Sequence, residues 1–289
     1  MQEKVTIGIP VFNEEKYLEK TIHSALSQTH QNIEIIISDN CSLDGSLEMI
    51  KKISSSHKNI RYYTHPKNIS ALDNFAFILD KCTTNCFMFL GGHDFISDNY
   101  VESCLHRLLK ASNAVLASAR IFNQTTPHGI YNENFETLNT LDIPARLAIL
   151  QWLWQCHSCS QFYGLFRTDV LRKVGFPKIY APDIAVIAAT LLHGSAVHCP
   201  QAKYFATCKR PQESIIETIT RHDFINNKMK DSYIKHINKN SSTAYLLHQP
   251  CQNFIISSVK KSSMKLVEKV ILKSEIAKIF KYRFSYGIN

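Results

Sequence analysis

The sequence predicts an α/β fold with a mainly parallel, Rossmann-like sheet flanked by helices. Short apolar runs alternate with helical patterns through the first 120 residues, and this alternation is typical of repeated βαβ crossovers. The run at 33–38 is almost continuous isoleucine, which indicates a strand covered on both faces. With 289 residues, the chain is long enough for one large domain with an appendage.

The first half is predicted element by element from apolar runs and turn residues. Acidic residues near position 14 favour the start of the first helix, because its dipole is positive there. The loop at 39–45 is rich in turn-forming residues. We expect strands at 5–9, 33–38, 61–64, 87–90 and 114–119, with helices that begin near 13–15 and span 46–54, 70–81 and 98–110.

The pattern loosens after residue 121 and becomes helical and basic from about residue 212. We therefore expect a ligand-binding α/β half at 1–120, a second half of the same domain at 121–212, and a basic helical C-terminal extension at 213–289. The elements predicted in the second half are helices at 143–154, 168–174 and 183–193 and a strand at 161–166.

Cysteine content and charge limit the cellular setting and the partners. Nine cysteines with irregular spacing favour free thiols in a reducing compartment. No secretory signal pattern follows Met1, so we expect a cytoplasmic protein. The net charge is +9, of which +6 comes from eight Lys/Arg and two Glu between residues 259 and 283. This balance favours polyanionic partners, and no apolar run reaches the length of a membrane span.

Three polar loops follow predicted strands, at 10–14, 39–45 and 91–94. Ligands of open parallel sheets bind outside the carboxyl ends of the strands, so these loops predict a binding cleft. The chain has neither a GxGxxG pattern after its first strand nor a GxxxxGK[ST] pattern, which disfavours a dinucleotide site and a P-loop.

Three segments in order carry a family resemblance: 9–14 (IPVFNE), 24–29 (SALSQT) and 34–45 (EIIISDNCSLDG). They resemble the opening of the family-two glycosyltransferases, and the likeness extends over about residues 4–212. The resemblance implies a GT-A fold and the transfer of a sugar from a nucleotide-diphospho-sugar, UDP-linked in our expectation, to a saccharide or lipid-linked hydroxyl. It also implies a role in making a surface polysaccharide.

The resemblance implies a donor-binding role for the first two loops. Asp39 matches the carboxylate that accepts a hydrogen bond from the nucleotide base, and Asn40 follows it. A plain Asx turn is the alternative for this pair. The loop that wraps the base and ribose is matched by Pro10, Val11, Phe12 and Glu14.

Asp94 matches the last carboxylate of the family's DXD metal motif, which holds Mg²⁺ or Mn²⁺ against the diphosphate. The segment reads Gly91-Gly92-His93-Asp94 and is less acidic than the common motif. His93 is therefore either a donor contact or an ordinary loop histidine. Arg210 resembles a phosphate contact in a closing loop, with a solvated basic loop as the alternative.

The stretch 167–175 followed by Asp183 resembles the region that ends in the family's catalytic carboxylate. Asp183 is the candidate general base for an inverting displacement. Its alternative is a helix N-cap, because Asp183 opens an apolar helix. Pro182 precedes it where the family usually has another acid.

The two tryptophans, one cysteine pair and the C-terminal basic helix do not decide between a structural and a functional role. Trp152 and Trp154 fit either core packing or stacking on a sugar, and Cys156 with Cys159 lacks the second ligand pair of a zinc site. The C-terminal basic helix either lies on an anionic membrane surface, which would place the protein at the inner face of the cell membrane, or packs on the domain.

Three other functions compete with this prediction. The reduced metal motif leaves an inactive nucleotide-sugar-binding scaffold as the main alternative. A nucleotidyltransferase would usually have a glycine-rich, basic first loop, and the loop at 10–14 has neither feature. A nucleic-acid-binding module is suggested only by the positive charge, and no recognised motif supports it. We therefore expect no nucleic-acid partner.

Overall fold

The computed structural model describes residues 3–124, 131–134, 137–156, 159–207 and 243–285. Within them lies one nine-stranded sheet of order β3-β2-β1-β4-β8-β6-β9-β5, with β7 paired to β6. The strands are β1 (Val5–Val11), β2 (Ile33–Asp39), β3 (Ile60–Thr64), β4 (Cys86–Phe89), β5 (Phe95–Ile96), β6 (Ala114–Gln124), β7 (Tyr131–Asn134), β8 (Leu165–Arg167) and β9 (Ser195–Ala206).

Most of the sheet is parallel. Strand β1 pairs in parallel with β2 and β4, β2 with β3, and β6 with β9. Strand β8 lies between β4 and β6 and is antiparallel to both, and the short β5 and β7 are antiparallel to β9 and β6. The predicted mainly parallel α/β sheet is therefore confirmed, with β8 inserted at its centre.

Helices cover both faces of the sheet. Successive residues of β2 show this, because Ile36 is buried in one core and Ile35 and Ile37 in the other. The helices are α1 (Glu15–Leu26), α2 (Ser46–Ser56), α3 (Ala71–Lys81), α4 (Tyr100–Lys110), α5 (Ala145–Gln155), α6 (Thr168–Val174), α7 (Pro182–Thr190), α8 (Thr243–Lys261) and α9 (Leu266–Ser285), with a 3₁₀ helix at Ser160–Tyr163.

The C-terminal part is helical, as predicted. Helix α8 contacts α7 and α9, and α9 contacts α5. The buried guanidinium of Arg283 in α9 donates hydrogen bonds to the carbonyl oxygens of Leu153 and Cys156. In the described ranges, no helix is both long enough and apolar enough to cross a bilayer.

The second half differs from its prediction in three places, and one of them is the unpredicted strand β7. The strand expected at 161–166 is instead the 3₁₀ helix followed by β8, since a short apolar run does not distinguish helix from strand by periodicity. Strand β9 was not predicted. Its register with β6 shifts between Cys199 and Lys203, where Pro200 cannot donate a ladder hydrogen bond, so its alternation is broken.

Candidate active site

The loops that follow β1 and β2 are fixed to each other. Asn13 adopts a left-handed conformation with φ of 55°, which asparagine tolerates. Its side-chain oxygen accepts a hydrogen bond from Leu43 N–H at 2.8 Å, and its own N–H donates to Ser42 Oγ at 3.0 Å. The N–H of Glu14 donates to Ser46 Oγ at 2.9 Å. These bonds hold both loops at the carboxyl edge of the sheet.

Asp39 ends β2 and is 1% exposed. Its Oδ2 accepts a hydrogen bond from Ser42 N–H at 3.1 Å, which is the Asx-type contact that the sequence left as the alternative. Its Oδ1 is buried and has no hydrogen-bond partner among the residues that the structure describes. A buried acceptor without a donor is unfavourable, so Oδ1 is suited to accept from a ligand N–H.

Asn40 holds the chain that enters α3. Its side-chain amide donates to Ile69 O at 2.7 Å and accepts from Ile69 N–H at 2.9 Å. Asn74 in α3 donates to Ser38 O at 3.2 Å. The side chain of Asn40 therefore positions the segment that brings Asn74 to the site.

The loop at 91–94 packs closely against the first loop. A Cβ on Gly91 would lie 2.5 Å from Asp94 Oδ2, and one on Gly92 would lie 3.0 Å from Pro10 O. His93 Nδ1 lies 3.0 Å from Glu14 Oε1, and His93 Nε2 lies 4.0 Å from Asp94 Oδ1. His93 thus stands between two buried carboxylates.

Both oxygens of Asp94 are engaged. Tyr204 Oη donates to Oδ2 at 2.5 Å, and Thr207 N–H donates to Oδ1 at 2.8 Å. Burial raises the pKa of Asp94, and the positive field of His93 with the two hydrogen bonds lowers it in part. Asp94 therefore joins the loop after β4 to the end of β9.

These loops enclose a cleft with a volume of about 410 Å³, within the range of small-molecule sites. Five residues that the sequence did not single out also line it: Ala71, Asn74, Phe75, Tyr163 and Thr207. Among the residues predicted to bind the donor, those that line the cleft are Pro10, Val11, Phe12, Glu14, Asn40 and His93. Asp39 adjoins it, because its register partner in β1 is Val11.

Asp183 is the second residue of α7. The N-cap of α7 is Ala181, with φ of 52°, so Asp183 is not the cap that the sequence left as an alternative. Its Oδ1 accepts a hydrogen bond from Ile184 N–H at 2.9 Å. Buried Trp152 donates to Ile184 O at 3.1 Å and anchors this end of the helix. Trp152 is thus a core residue, while Trp154 is 51% exposed.

The charge of Asp183 acts on Tyr163, a residue that lines the cleft. Burial raises the pKa of Tyr163 well above its usual range, and the negative charges of Asp94, Asp183 and Glu14 add to the rise in that order. Because Tyr163 lines the cleft, Asp183 lies within electrostatic reach of that wall. Arg210 lies outside the described residues.

Asp94 keeps acceptor capacity for a divalent cation, but it is 4% exposed and is not among the residues that line the cleft. An ionised carboxylate has about four lone-pair positions, and Asp94 uses two of them. In the described ranges, no group of three or more His, Cys, Asp or Glu side chains could hold a metal ion. A cation here would therefore be shared between Asp94, nucleotide phosphates and water, as Mg²⁺ commonly is.

Sequence relatives are glycosyltransferases. Glycosyltransferase GlyA of Streptococcus pneumoniae serotype 4 is 30% identical over 132 residues, which is 45% of this chain and 18% of that protein. The matches span less than half the length of the curated relatives.

Solved structures share the fold. S. aureus TarS 1-349 in complex with UDP-GlcNAc has a TM-score of 0.67 at 15% identity and covers 98% of this chain and 73% of that one. The mannosyltransferase PcManGT from Pyrobaculum calidifontis, in complex with GDP-Man and Mn²⁺, has a TM-score of 0.58 at 14% identity. The match covers 100% of this chain and 87% of that one.

The profile of the family described as Glycosyl transferase family 2 matches residues 6–175. This match includes all three loops of the cleft and more than half of the chain. The protein therefore belongs to glycosyl transferase family 2, and the GT-A type α/β fold that its loop motifs implied is confirmed.

Proposed function

We propose that this protein transfers a sugar from a UDP-linked donor to a hydroxyl of a saccharide or lipid-linked acceptor, with inversion at the anomeric carbon. The observation that carries the proposal is the cleft at the carboxyl edge of the sheet, beside the buried Oδ1 of Asp39, which has no hydrogen-bond partner in the part of the chain that the structure describes. Family membership and the UDP-GlcNAc complex of TarS support it.

In this proposal the donor nucleotide occupies the cleft. Asp39 Oδ1 accepts the N–H of the uracil edge, a contact that stabilises the carboxylate by removing its unsatisfied acceptor. Phe12 is 40% exposed and covers the base, while the backbone of Pro10 and Val11 lines the ribose side. Arg210, which lies outside the described residues, stays the candidate diphosphate contact that the family resemblance implies.

The diphosphate end of the donor lies at the loop of His93 and Asp94. Asp94 would hold Mg²⁺ or Mn²⁺ together with the donor phosphates, and the cation would neutralise charge on the leaving group. The PcManGT complex contains Mn²⁺, which supports this assignment. Tyr204 and Thr207 orient the carboxylate of Asp94 by their hydrogen bonds.

Asp183 acts as the general base. It takes the proton of the acceptor hydroxyl, whose oxygen then forms a bond to the anomeric carbon. The bond from that carbon to the phosphate oxygen breaks, and its electron pair leaves with the nucleoside diphosphate. A positioned base of this kind contributes about 10²–10⁴-fold in rate. Such chemistry suits polysaccharide assembly in the cytoplasm, at the inner face of the cell membrane.

The burial of Asp94 favours one second function, a scaffold that binds nucleotide sugar without turnover. Asp94 is 4% exposed, and a carboxylate that remained closed to a cation would leave the diphosphate without its counter-charge. Turnover distinguishes the two functions, since a scaffold binds the donor and releases no nucleoside diphosphate.

The test combines binding and turnover. Thermal unfolding is measured with UDP, GDP, CDP and dTDP, each with and without Mn²⁺. A ligand at about 100 times its dissociation constant adds about 2.7 kcal/mol, a shift of several degrees in a chain of this size. Release of UDP from UDP-sugars is then followed with saccharide acceptors. A UDP-specific shift with release supports the transferase, a shift without release supports the scaffold, and no shift with any nucleotide contradicts both.

A further inference from the structure

Helix α9 has apolar side chains on two faces, and within the described residues only one of these faces is buried against the domain. Leu272, Ile276 and Phe280 are buried against the domain. On the opposite side, the side chains that stay exposed are Leu266 (76%), Val267 (69%), Val270 (56%) and Ile271 (38%). An ordinary packed helix leaves polar residues on its outer side, whereas these apolar side chains stay exposed within the described part of the chain.

The same outward side continues into lysine and aromatic residues. Ile271, Lys278 and Tyr282 are separated by helical spacings that place them on one side of α9. Tyr282 is 55% exposed, and its ring centroid lies 6.1 Å from that of Trp154 at the end of α5. We call this surface the α9 outer face; it consists of Leu266, Val267, Val270, Ile271, Lys278, Lys281, Tyr282 and Trp154.

The charge around the α9 outer face is strongly positive. Residues 259–283 contain eight Lys/Arg and two Glu, and one of the two, Glu275, pairs with Arg146 at 3.7 Å. The exposed lysines include Lys260, Lys261 and Lys265 before the helix. A second copy of the chain on this face would bring like charges together, so the charge disfavours self-association.

We propose that the α9 outer face docks the protein on the surface of an anionic lipid bilayer. The apolar group at the start of α9 enters the boundary between headgroups and acyl chains. Trp154 and Tyr282 have the amphipathic rings that favour this interface, and the lysines pair with anionic headgroups. No acyl-chain span is needed, because the helix lies along the surface.

This docking surface extends the proposed function, since it would bring a transferase to lipid-linked acceptors. The docking surface rests on the proposed function only for its biological role, because its structural evidence is independent of sugar transfer. Lipid binding and UDP release are therefore measured separately, so that either can fail while the other holds.

The test is co-sedimentation of the full chain with vesicles. We expect binding to vesicles of phosphatidylcholine with phosphatidylglycerol, little binding to phosphatidylcholine alone, and weakening with salt because the attraction is screened. The paired change Lys278→Gln and Lys281→Gln should weaken binding about 30-fold, the factor that about 1 kcal/mol per lysine gives. Val267→Ser with Val270→Ser should weaken it at least about tenfold.

The matched controls are exposed residues elsewhere, Leu109→Ser on α4 and Lys52→Gln on α2. They should bind vesicles as the wild type does, and every variant should keep its nucleotide-induced thermal shift. Equal binding to neutral and anionic vesicles would overturn the proposal. Equal losses of vesicle binding in the control variants would also overturn it. The same holds if substitutions on the α9 outer face change only self-association or the binding of another protein.

Discussion

Tyr204 donates its hydroxyl hydrogen to Asp94 across 110 residues of sequence, at 2.5 Å. The ring of Tyr204 in turn stacks on Tyr163, with centroids 5.2 Å apart and an interplanar angle of 19°. The proposed metal-binding carboxylate, the end of β9 and the wall of the cleft are thus parts of one contact chain. Because Asp94 and Tyr204 are buried in this contact chain, the carboxylate of Asp94 is held in one position.

Tyr204→Phe should therefore destabilise the protein while leaving its shape intact. The change keeps the stacked ring and leaves Asp94 Oδ2 buried without its donor, which costs about 1–3 kcal/mol. Urea unfolding measures the loss, and Tyr62→Phe, at a 41% exposed residue, is the control. A Tyr204→Phe variant as stable as the control would contradict the importance of this bond.

Asp183→Asn should lose about 10²–10⁴-fold in the rate of sugar transfer and keep donor binding, because only the base is removed. The chain offers a close control, Asp169→Asn, since both aspartates lie in the first turn of a helix and Asp169 is exposed. The rate of UDP release with acceptor and the UDP-induced thermal shift are the two readouts. Full activity in Asp183→Asn would remove this residue from the role of base.

Asp39→Asn should weaken nucleotide binding by about 10- to 150-fold. The substitution replaces a charged acceptor, whose hydrogen bonds are worth about 1.5–3 kcal/mol, by a neutral amide that presents N–H groups on one side. Calorimetric titration with UDP measures the change against Asp80→Asn, at an exposed residue of α3. Equal affinities for the two variants would mean that Oδ1 of Asp39 does not contact the base.

His198 should make the fold sensitive to acid. Burial lowers the pKa of His198 below 6.5, and the positive charges of Arg107 and Arg120 lower it further, against the opposing effect of Glu133. A histidine with a lowered pKa in the folded state contributes its full stability above its unfolded pKa, and this is lost as the pH falls through the folded value. Nδ1 of His198 is buried without a hydrogen-bond partner in the described ranges, in agreement with a neutral ring.

The measurement is the thermal midpoint between about pH 8 and about pH 5. His198→Gln should flatten the acid loss relative to the wild type, and His106→Gln, at an exposed histidine on α4, controls for removing one imidazole. If the thermal midpoints of His198→Gln and the wild type fall in parallel as the pH is lowered, groups other than His198 cause the loss of stability in acid.

The part of the fold that was predictable follows from local chemistry. The isoleucine run of β2 and the polar residues after it predicted both a buried strand and the end of it that adjoins the cleft, because a parallel strand buried on both faces has a distinct composition. The loops that carry Phe12, Asp39 and His93 could be placed at one edge of the sheet from that rule alone.

The remainder depends on long-range pairing that composition does not encode. Tyr204 and Thr207 reach Asp94 only because β9 pairs with β6 across an irregular register at Pro200. Tyr163 reaches the cleft from a 3₁₀ helix that begins after Cys159, whose φ is 53°. None of these three residues has a sequence pattern of its own, so their positions near the cleft became visible only in three dimensions.

The close approach of Gly91 to Asp94 has a consequence for how this site can change over time. Gly91 does not have a positive φ, so its backbone conformation alone would accept any residue. The methyl group of Gly91→Ala would instead meet Asp94 Oδ2 at 2.5 Å. Mutational drift at position 91 is therefore coupled to position 94. Among descendants of this sequence, a side chain at 91 should appear only with a changed residue at 94, as a covarying pair.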